Sequence, residues 1–151
     1  MLQWGSNIEA LLQSRYGRLL FHRFLQQEYC EECLDFYQEV EKFKKLRINR
    51  LPLRAKKIFE KYLKPGCIKE VNLDQDMRNN VKNSLENGIT REMFDEAQKS
   101  IKQLMERDAY QRFLKSDAYL KCLKKDETRA STETLAESIH SKSSIVTLIQ
   151  L

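Results

Sequence analysis

The feature of this sequence that most constrains its fold is the helical spacing of its apolar residues. Between residues 34 and 46, an apolar side chain recurs at every third position among charged neighbours: Leu34, Tyr37, Val40, Phe43 and Leu46. This spacing places the apolar side chains on one face of an α-helix, where they can pack against a core. The 151 residues include only four Gly and two Pro, too few for the many tight turns of a β-sandwich or barrel. The pattern predicts long helices joined by short connections.

Breaks in this pattern divide the chain into separate helices. Pro52 and the run Lys64-Pro65-Gly66 interrupt it in the first half, and Asn87-Gly88 closes a later segment. Proline and glycine are typical helix breakers, since proline lacks a backbone N–H and glycine accepts left-handed turns. No segment shows the alternation of a half-buried strand. The residues therefore predict an all-α domain of eight or nine short helices.

Polar residues in front of apolar stripes predict where helices begin. Asn72 or Asp74 can cap one helix, and Ser116 can cap the last one, because their side-chain oxygens accept bonds from free backbone N–H groups. Thr90 is expected to open the segment between them.

The composition changes at Lys124. Ser and Thr become frequent, apolar residues become few, and the basic and acidic residues balance. Such a segment buries little apolar surface. We therefore predict a helical domain over residues 1–123 and a Ser/Thr-rich tail or linker over residues 124–151, weakly helical around residues 135–139.

Charge is distributed in blocks along the chain. Residues 26–41 contain six acidic residues and no Lys or Arg, whereas residues 42–69 contain eleven basic residues and the single acid Glu60. The basic block could face an anionic membrane, although a solvated pair of helices is the simpler interpretation. No nucleic-acid motif accompanies the charge. The candidate membrane-facing residues are Lys42, Lys44, Lys45, Arg47, Arg50, Arg54, Lys56 and Lys57.

Signals for catalysis or metal binding are weak. Cys30 and Cys33 form an isolated CxxC, whose simplest interpretation is two ordinary thiols at a helix start, because no second ligand pair accompanies it. The two histidines, His22 and His140, belong to no recognisable triad, and no glycine-rich phosphate loop occurs. We predict no catalytic residue, no metal and no cofactor.

The sequence indicates a soluble protein. It has no apolar run near the roughly 20 residues that cross a bilayer, and its beginning lacks the pattern of a signal peptide. Four cysteines in a chain with a sizeable core favour reduced thiols. We therefore expect a cytoplasmic protein, with peripheral membrane attachment as an alternative.

Residues 24–37, FLQQEYCEECLDFY, resemble the regulator of G-protein signalling (RGS) family, in which this segment reads approximately F-L-x-x-E-[FY]-S-E-E-N-[IL]-x-F-[WY]. The resemblance covers roughly residues 19–123. A series of blocks in the family's order is far more specific than one. The further blocks lie at residues 55–59, 69–74, 94–99, 104–108 and 112–116.

The resemblance implies an all-α bundle of about nine helices that binds a heterotrimeric G-protein α subunit (Gα) and accelerates its GTP hydrolysis. Such a domain is a monomer without catalytic residues, because GTP, Mg and the catalytic groups belong to Gα. The alternative is an RGS-homology scaffold, weak or silent in catalysis, that binds Gα, another protein or an anionic membrane.

The resemblance also implies which residues face Gα. They come from an acidic corner formed by the contact residues between 28 and 33, from one position near Asn87-Gly88, and from the last part of the domain. By position they are Glu28, Tyr29, Cys30, Glu32, Cys33, Ser84, Leu104, Asp108, Ala109 and Arg112.

Several of these positions depart from the family pattern. Cys30 replaces a helix-capping Ser, and Cys33 replaces an Asn whose amide both donates and accepts hydrogen bonds. Ala109 stands where Ser is common. Asp108 and Arg112, four residues apart, are expected to share one helix face.

Overall fold

The structure is a computed structural model that describes the backbone of residues 3–149 and the side chains of residues 3–137. Within that range it is all-helical, which confirms the predicted fold class. It contains eight α-helices, slightly fewer than the nine implied by the resemblance. They are α1 (Ile8–Gln13), α2 (Arg15–Gln27), α3 (Glu32–Lys44), α4 (Leu51–Ile58), α5 (Gln75–Asn87), α6 (Asp95–Arg107), α7 (Ala109–Phe113) and α8 (Asp117–Ile149).

Short helical segments of other kinds complete the chain. Gln3–Gly5 and Ile48–Arg50 are 3₁₀ turns, and α4 continues directly into a π-helical turn, Phe59–Leu63. The helix expected to open at Thr90 begins later, at Asp95. The residues between form turns, in which the Asp95 N–H donates to the Glu92 carbonyl oxygen at 3.0 Å.

The chain divides into two compact units. One comprises the residues up to 20 and those from 112 onward, and the other comprises residues 21–111. The boundaries fall inside α2 and α7.

An aromatic cluster forms the core of the unit spanning residues 21–111. Phe94 packs edge-on against Phe43 at 5.1 Å and against Phe36 at 6.4 Å, measured between ring centroids, and Phe36 also contacts Tyr62 at 5.8 Å. All four side chains are buried. Such pairs contribute about 0.5–1.5 kcal/mol each beyond the burial of their area. They hold α3 between α6 and the end of the π-helical turn.

A buried arginine fixes the connection between this turn and α5. The Arg78 guanidinium donates to the carbonyl oxygens of Val71 at 2.7 Å, Leu73 at 3.3 Å and Leu63. Its charge is paired with the Glu70 carboxylate at 3.1 Å. A buried charge is tolerated only when paired and hydrogen-bonded in this way.

The other unit has its own core around α1. Trp4, Ile8, Leu11 and Leu12, which recur at the three- and four-residue spacing of a helix, are buried. A Cβ atom at Gly17 would lie 3.0 Å from both the Trp4 ring and the Leu11 side chain, so α1 and the start of α2 approach closely at a residue without a side chain.

Helix α8 is longer than the sequence suggested. Its backbone remains helical through Ile149, across the predicted boundary at residue 123 and beyond the weak helicity expected near residues 135–139. Ser and Thr disfavour helices when they compete for the backbone, but here their hydroxyls donate to carbonyl oxygens four residues earlier. The hydroxyls of Thr128, Ser131, Thr132 and Thr134 do so at 2.8–2.9 Å. The division into domain and tail stays a prediction.

Candidate functional site

The acidic corner begins where α2 ends in a Schellman motif. The Cys30 N–H donates to the Leu25 carbonyl oxygen at 3.0 Å, and the Tyr29 N–H donates to that of Gln26 at 3.1 Å. This pairing requires a left-handed residue at Tyr29, whose φ is 57°. Glycine normally occupies such a position, since a Cβ atom makes the conformation unfavourable. Tyr29 is therefore held in a strained backbone, and its side chain is 90% exposed.

Helix α3 begins directly after this turn. Glu31 already has helical dihedrals, and its carbonyl accepts from the Asp35 N–H at 3.0 Å. The side chain of Glu31, the N-cap residue, makes no capping hydrogen bond. Glu32 and Asp35 lie in the first turn, where the positive end of the helix dipole stabilises carboxylates.

The Cys33 thiol is neutral in this setting. The side chain is half-buried, and burial raises its pKa to about 12, with further contributions from the charge of Glu32 and from Cys30. A neutral thiol is a weak donor and a weak acceptor. Cys33 therefore offers a partner much less hydrogen bonding than an asparagine amide.

Asp35 ties the first turn of α3 to two other segments of the chain. Its Oδ1 lies 2.7 Å from His22 Nε2 on α2, and its Oδ2 accepts from Lys69 Nζ at 2.6 Å. Burial alone would raise the pKa of Asp35, but the hydrogen bonds from Lys69 and His22 outweigh it and lower the pKa from its ordinary value. The sequence suggested only a catalytic or metal-binding role for His22. Its contact with Asp35, 13 residues away on another helix, could not be inferred from helical spacing.

Ser84 lies in the last turn of α5. Its Oγ donates to the Asn80 carbonyl oxygen at 3.1 Å, and its own carbonyl oxygen accepts from the Gly88 N–H at 3.0 Å. The side chain is half-exposed. It is therefore accessible at the helix end, and its role as a partner contact stays a prediction.

The remaining predicted contacts lie around the junction of α6 and α7. Leu104 is half-buried on α6, and Asp108 is exposed in the break between the two helices. The expectation that Asp108 and Arg112 share one helix face stays a prediction. Arg112 is exposed on α7, whereas Ala109 is buried, so its methyl group is engaged in packing.

Three of the candidate membrane-facing residues form ion pairs within the domain. Lys44 Nζ contacts Gln98 Oε1 at 2.7 Å and Asp95 Oδ1 at 3.2 Å. Lys42 and Arg54 both pair with Glu39, at 3.2 and 3.5 Å. The other five candidate membrane-facing residues are exposed: Lys45, Arg47, Arg50, Lys56 and Lys57.

Neither a membrane span nor a metal centre is found in the part of the chain that the structure describes. None of its helices combines the length and apolar character needed to cross a bilayer. No three His, Cys, Asp or Glu side chains among its residues are placed to hold a metal ion.

The described residues form an all-helical domain, and the acidic corner lies exposed between α2 and α3. The Regulator of G protein signaling domain family matches residues 7–122, beginning 12 residues before the segment in which we noted a resemblance. The chain belongs to this family, and the suspected membership is thereby confirmed.

Relatives with assigned names agree. Regulator of G-protein signaling 16 of Rattus norvegicus is 40% identical over 142 residues, covering 93% of this chain and 71% of the rat protein. Its Sus scrofa counterpart is 43% identical over 120 residues, 79% of this chain and 60% of the relative. Regulator of G-protein signaling 1 of Homo sapiens is 37% identical over 123 residues, 82% of this chain and 58% of the relative. The chain thus spans only about three fifths of the latter two proteins.

Proposed function

We propose that this domain binds a heterotrimeric Gα subunit in its GTP-bound, transition-state form and accelerates GTP hydrolysis, which terminates signalling. The observation that carries the proposal is the acidic corner, built from the Schellman turn at Tyr29 and the carboxylates at the start of α3. Family membership identifies the partner class, and the corner supplies a rigid, exposed surface for it.

The mechanism follows from the chemistry of the partner. Gα carries its own arginine and its own water-orienting glutamine, so an accelerating domain need only favour the switch conformation of the transition state. Binding energy expressed only in that state raises the rate. The carboxylates of Glu28 and Glu32 can accept hydrogen bonds from switch backbone N–H groups, and charge-assisted bonds of this kind are the stronger ones.

The fixed backbone of the corner supports this mechanism. Hydrogen bonds from Tyr29 and Cys30 back into α2 lock the turn, and Asp35 ties the next helix to α2. Donors and acceptors that are held in place before binding need little reorganisation in the transition state. The exposed ring of Tyr29 then provides apolar contact area beside the carboxylates.

The neutral Cys33 thiol is expected to lower the extent to which the domain stimulates Gα. A neutral hydrogen bond contributes about 0.5–1.5 kcal/mol net, so its loss corresponds to at most about a tenfold decrease in activity. We therefore infer an active domain of reduced potency. The competing proposal is a scaffold that binds Gα without acceleration, and Cys33 is the residue that favours it.

Single-turnover GTP hydrolysis by a panel of Gα subunits tests the proposal. We expect a catalytic excess of the domain to increase the hydrolysis rate of at least one subunit. Binding to Gα loaded with GDP and aluminium fluoride, without acceleration, would establish the scaffold instead. The absence of both acceleration and binding across the panel would contradict a Gα-directed function.

A second candidate function is peripheral attachment to an anionic membrane through the exposed basic residues. Ile48 and Leu53 are 75% and 64% exposed and lie between Arg47, Arg50 and Arg54 in the sequence. Apolar side chains flanked by basic ones suit an anionic interface, at about 1 kcal/mol per well-placed basic residue. Co-sedimentation with vesicles that contain or lack anionic lipid tests this candidate, and equal sedimentation with both would contradict it.

A further inference from the structure

The two cysteines of the acidic corner lie close enough to be joined. The distance between Cα atoms of residues i and i+3 depends on the dihedrals of the two residues between them. Those residues, Glu31 and Glu32, are helical, which places the Cα atoms of Cys30 and Cys33 about 5 Å apart. A disulfide accepts Cα separations of about 4.4–6.8 Å.

Neither cysteine forms a disulfide in the structure, and both are half-buried and therefore partly open to small reagents. Cys30 contributes to the electrostatic environment of Cys33, as expected for adjacent sulfurs. The other two cysteines, Cys67 and Cys122, lie far along the sequence, on a loop and on α8. The corner therefore holds an adjacent thiol pair at the surface proposed for partner binding.

We propose that Cys30 and Cys33 are a redox modification site, at which a small-molecule disulfide such as glutathione disulfide forms a reversible Cys30–Cys33 bond that weakens the action of the domain on Gα. The regulatory part rests on the proposed function. The bond itself does not.

The reaction balances as two thiol–disulfide exchanges. The Cys30 thiolate attacks one sulfur of glutathione disulfide, forming a mixed disulfide and releasing one glutathione thiolate. Cys33, after losing its proton, attacks the Cys30 sulfur and releases the second glutathione. Two protein thiols are thereby oxidised, and one glutathione disulfide is reduced to two glutathione molecules.

The raised pKa of Cys33 affects the equilibrium and the rate of bond formation in opposite directions. Burial, and to a smaller extent the charge of Glu32, disfavour a thiolate at Cys33, which slows the second exchange. A dithiol that gains no stability from a thiolate is, however, easier to keep oxidised, the reverse of the strongly oxidising sites that stabilise their thiolate. We therefore expect a bond that forms slowly and, once formed, persists until a reductant is added.

The bond changes what the corner presents. It removes the Cys33 S–H donor, and it ties Cys33 to Cys30, the last residue of the Schellman motif. Since both cysteines are proposed contacts, drawing their two side chains together changes what they present to Gα. We expect the stimulation of Gα to decrease by about three- to tenfold, the scale of one displaced contact.

The test uses the full chain in a Cys67→Ser, Cys122→Ser background, which leaves only the corner pair. After incubation with glutathione disulfide, we expect intact mass spectrometry to show a chain lighter by two hydrogens, and peptide mapping to place the bond at residues 30 and 33. Single-turnover hydrolysis should decrease and should recover after dithiothreitol. The matched control, Cys30→Ser in the same background, cannot form the bond.

The possible outcomes separate the two parts of the proposal. A persistent glutathione adduct, or no mass change, would overturn the bond. A bond that forms without changing hydrolysis would overturn its effect on Gα. If the reduced domain stimulates no Gα at all, the proposed function fails, while the mass measurement still decides whether the bond exists.

Discussion

His22 Nε2 lies 2.7 Å from Asp35 Oδ1, and this contact joins α2 to the first turn of α3. The second oxygen of the same carboxylate accepts from Lys69, so three segments of the chain meet at one half-buried group. The acidic corner lies on the connection between α2 and α3. Its geometry therefore depends on a side chain that is not among the proposed partner contacts.

Replacing Asp35→Asn should destabilise the domain. The amide cannot accept from both His22 and Lys69 as a carboxylate does, and leaving partly buried polar groups poorly paired costs about 1–3 kcal/mol. Urea unfolding at neutral pH measures the change. Glu127→Gln, an exposed carboxyl on α8, is the matched control and should change the free energy of unfolding by less than about 0.5 kcal/mol. Equal effects of both variants would contradict the anchoring role.

The difference in unfolding free energy between wild type and Asp35→Asn is expected to depend on pH. The pKa of Asp35 is lowered in the folded domain below its ordinary value of 3.8. Its contribution to stability is therefore complete above that value and is lost as the pH falls through the lower folded pKa. We expect the difference in unfolding free energy between wild type and Asp35→Asn to shrink below pH 3.8. A difference that stays constant there would show that the charge of Asp35 is not responsible.

The sequence predicted what depends on local period and local chemistry. The apolar stripe of α3 and the buried set around Trp4 follow from three- and four-residue spacing. Two caps were also recognisable from residue type: Asp74 accepts from the Met77 N–H at 3.0 Å, and Ser116 Oγ accepts from the Tyr119 N–H at 3.3 Å. Both are N-cap bonds that span three residues and need no knowledge of the fold.

Contacts between distant residues were not predictable in this way. Gln98 donates to the Tyr37 carbonyl oxygen, 61 residues away, at 3.1 Å, and Arg91 donates to the carbonyl oxygen of Lys44 at 2.9 Å. Such pairs form only after the helices have packed. The strained backbone at Tyr29 was missed for a different reason, because a tyrosine gives no signal for a left-handed turn. The placement of the Gα-facing residues rests on the family resemblance rather than on either kind of rule.

Arg78→Lys should strongly destabilise the unit that holds the corner. A lysine keeps the charge, but its single ammonium cannot reproduce the fork that reaches three carbonyl oxygens. We expect a loss of about 1–3 kcal/mol in urea unfolding, the cost of leaving a buried polar group without its hydrogen bond. Arg54→Lys is the matched control, because Arg54 is exposed with one 3.5 Å contact to Glu39. If Arg78→Lys lowers the free energy of unfolding no more than Arg54→Lys does, the Arg78 hydrogen bonds do not contribute to stability as argued.

Cys33→Asn should increase the stimulation of Gα by up to about tenfold. The amide restores a strong donor and a strong acceptor at a position where the thiol offers neither. Single-turnover hydrolysis compares the variant with wild type, and Cys67→Ser serves as a control outside the proposed surface. An unchanged rate would mean that Cys33 does not contact the partner.

Asp108→Ala and Arg112→Ala should each lower the stimulation of Gα without unfolding the domain. Both side chains are exposed. A hydrogen bond that the Asp108 carboxylate accepts or the Arg112 guanidinium donates contributes about 1.5–3 kcal/mol, which corresponds to a loss of ten- to a hundredfold. Circular dichroism and thermal unfolding establish that the fold is kept. Arg107→Ala, a neighbouring exposed cation, is the matched control. If all three variants match wild type in rate, the α6–α7 part of the surface is wrongly assigned.

Tyr29→Gly should separate stability from function at the corner. Glycine adopts the left-handed φ of 57° without strain, so we expect unfolding to become less favourable by about 1 kcal/mol, while the stimulation of Gα decreases because an exposed aromatic contact is lost. Gly66→Ala provides the reverse comparison. Its φ is 80° and a Cβ atom there would meet nothing within 4 Å, so backbone strain alone should destabilise that variant by a similar amount. Urea unfolding and single-turnover hydrolysis together decide the outcome. A Tyr29→Gly domain that is less stable than wild type would show that the tyrosine ring, rather than the turn it strains, dominates the energy of this position.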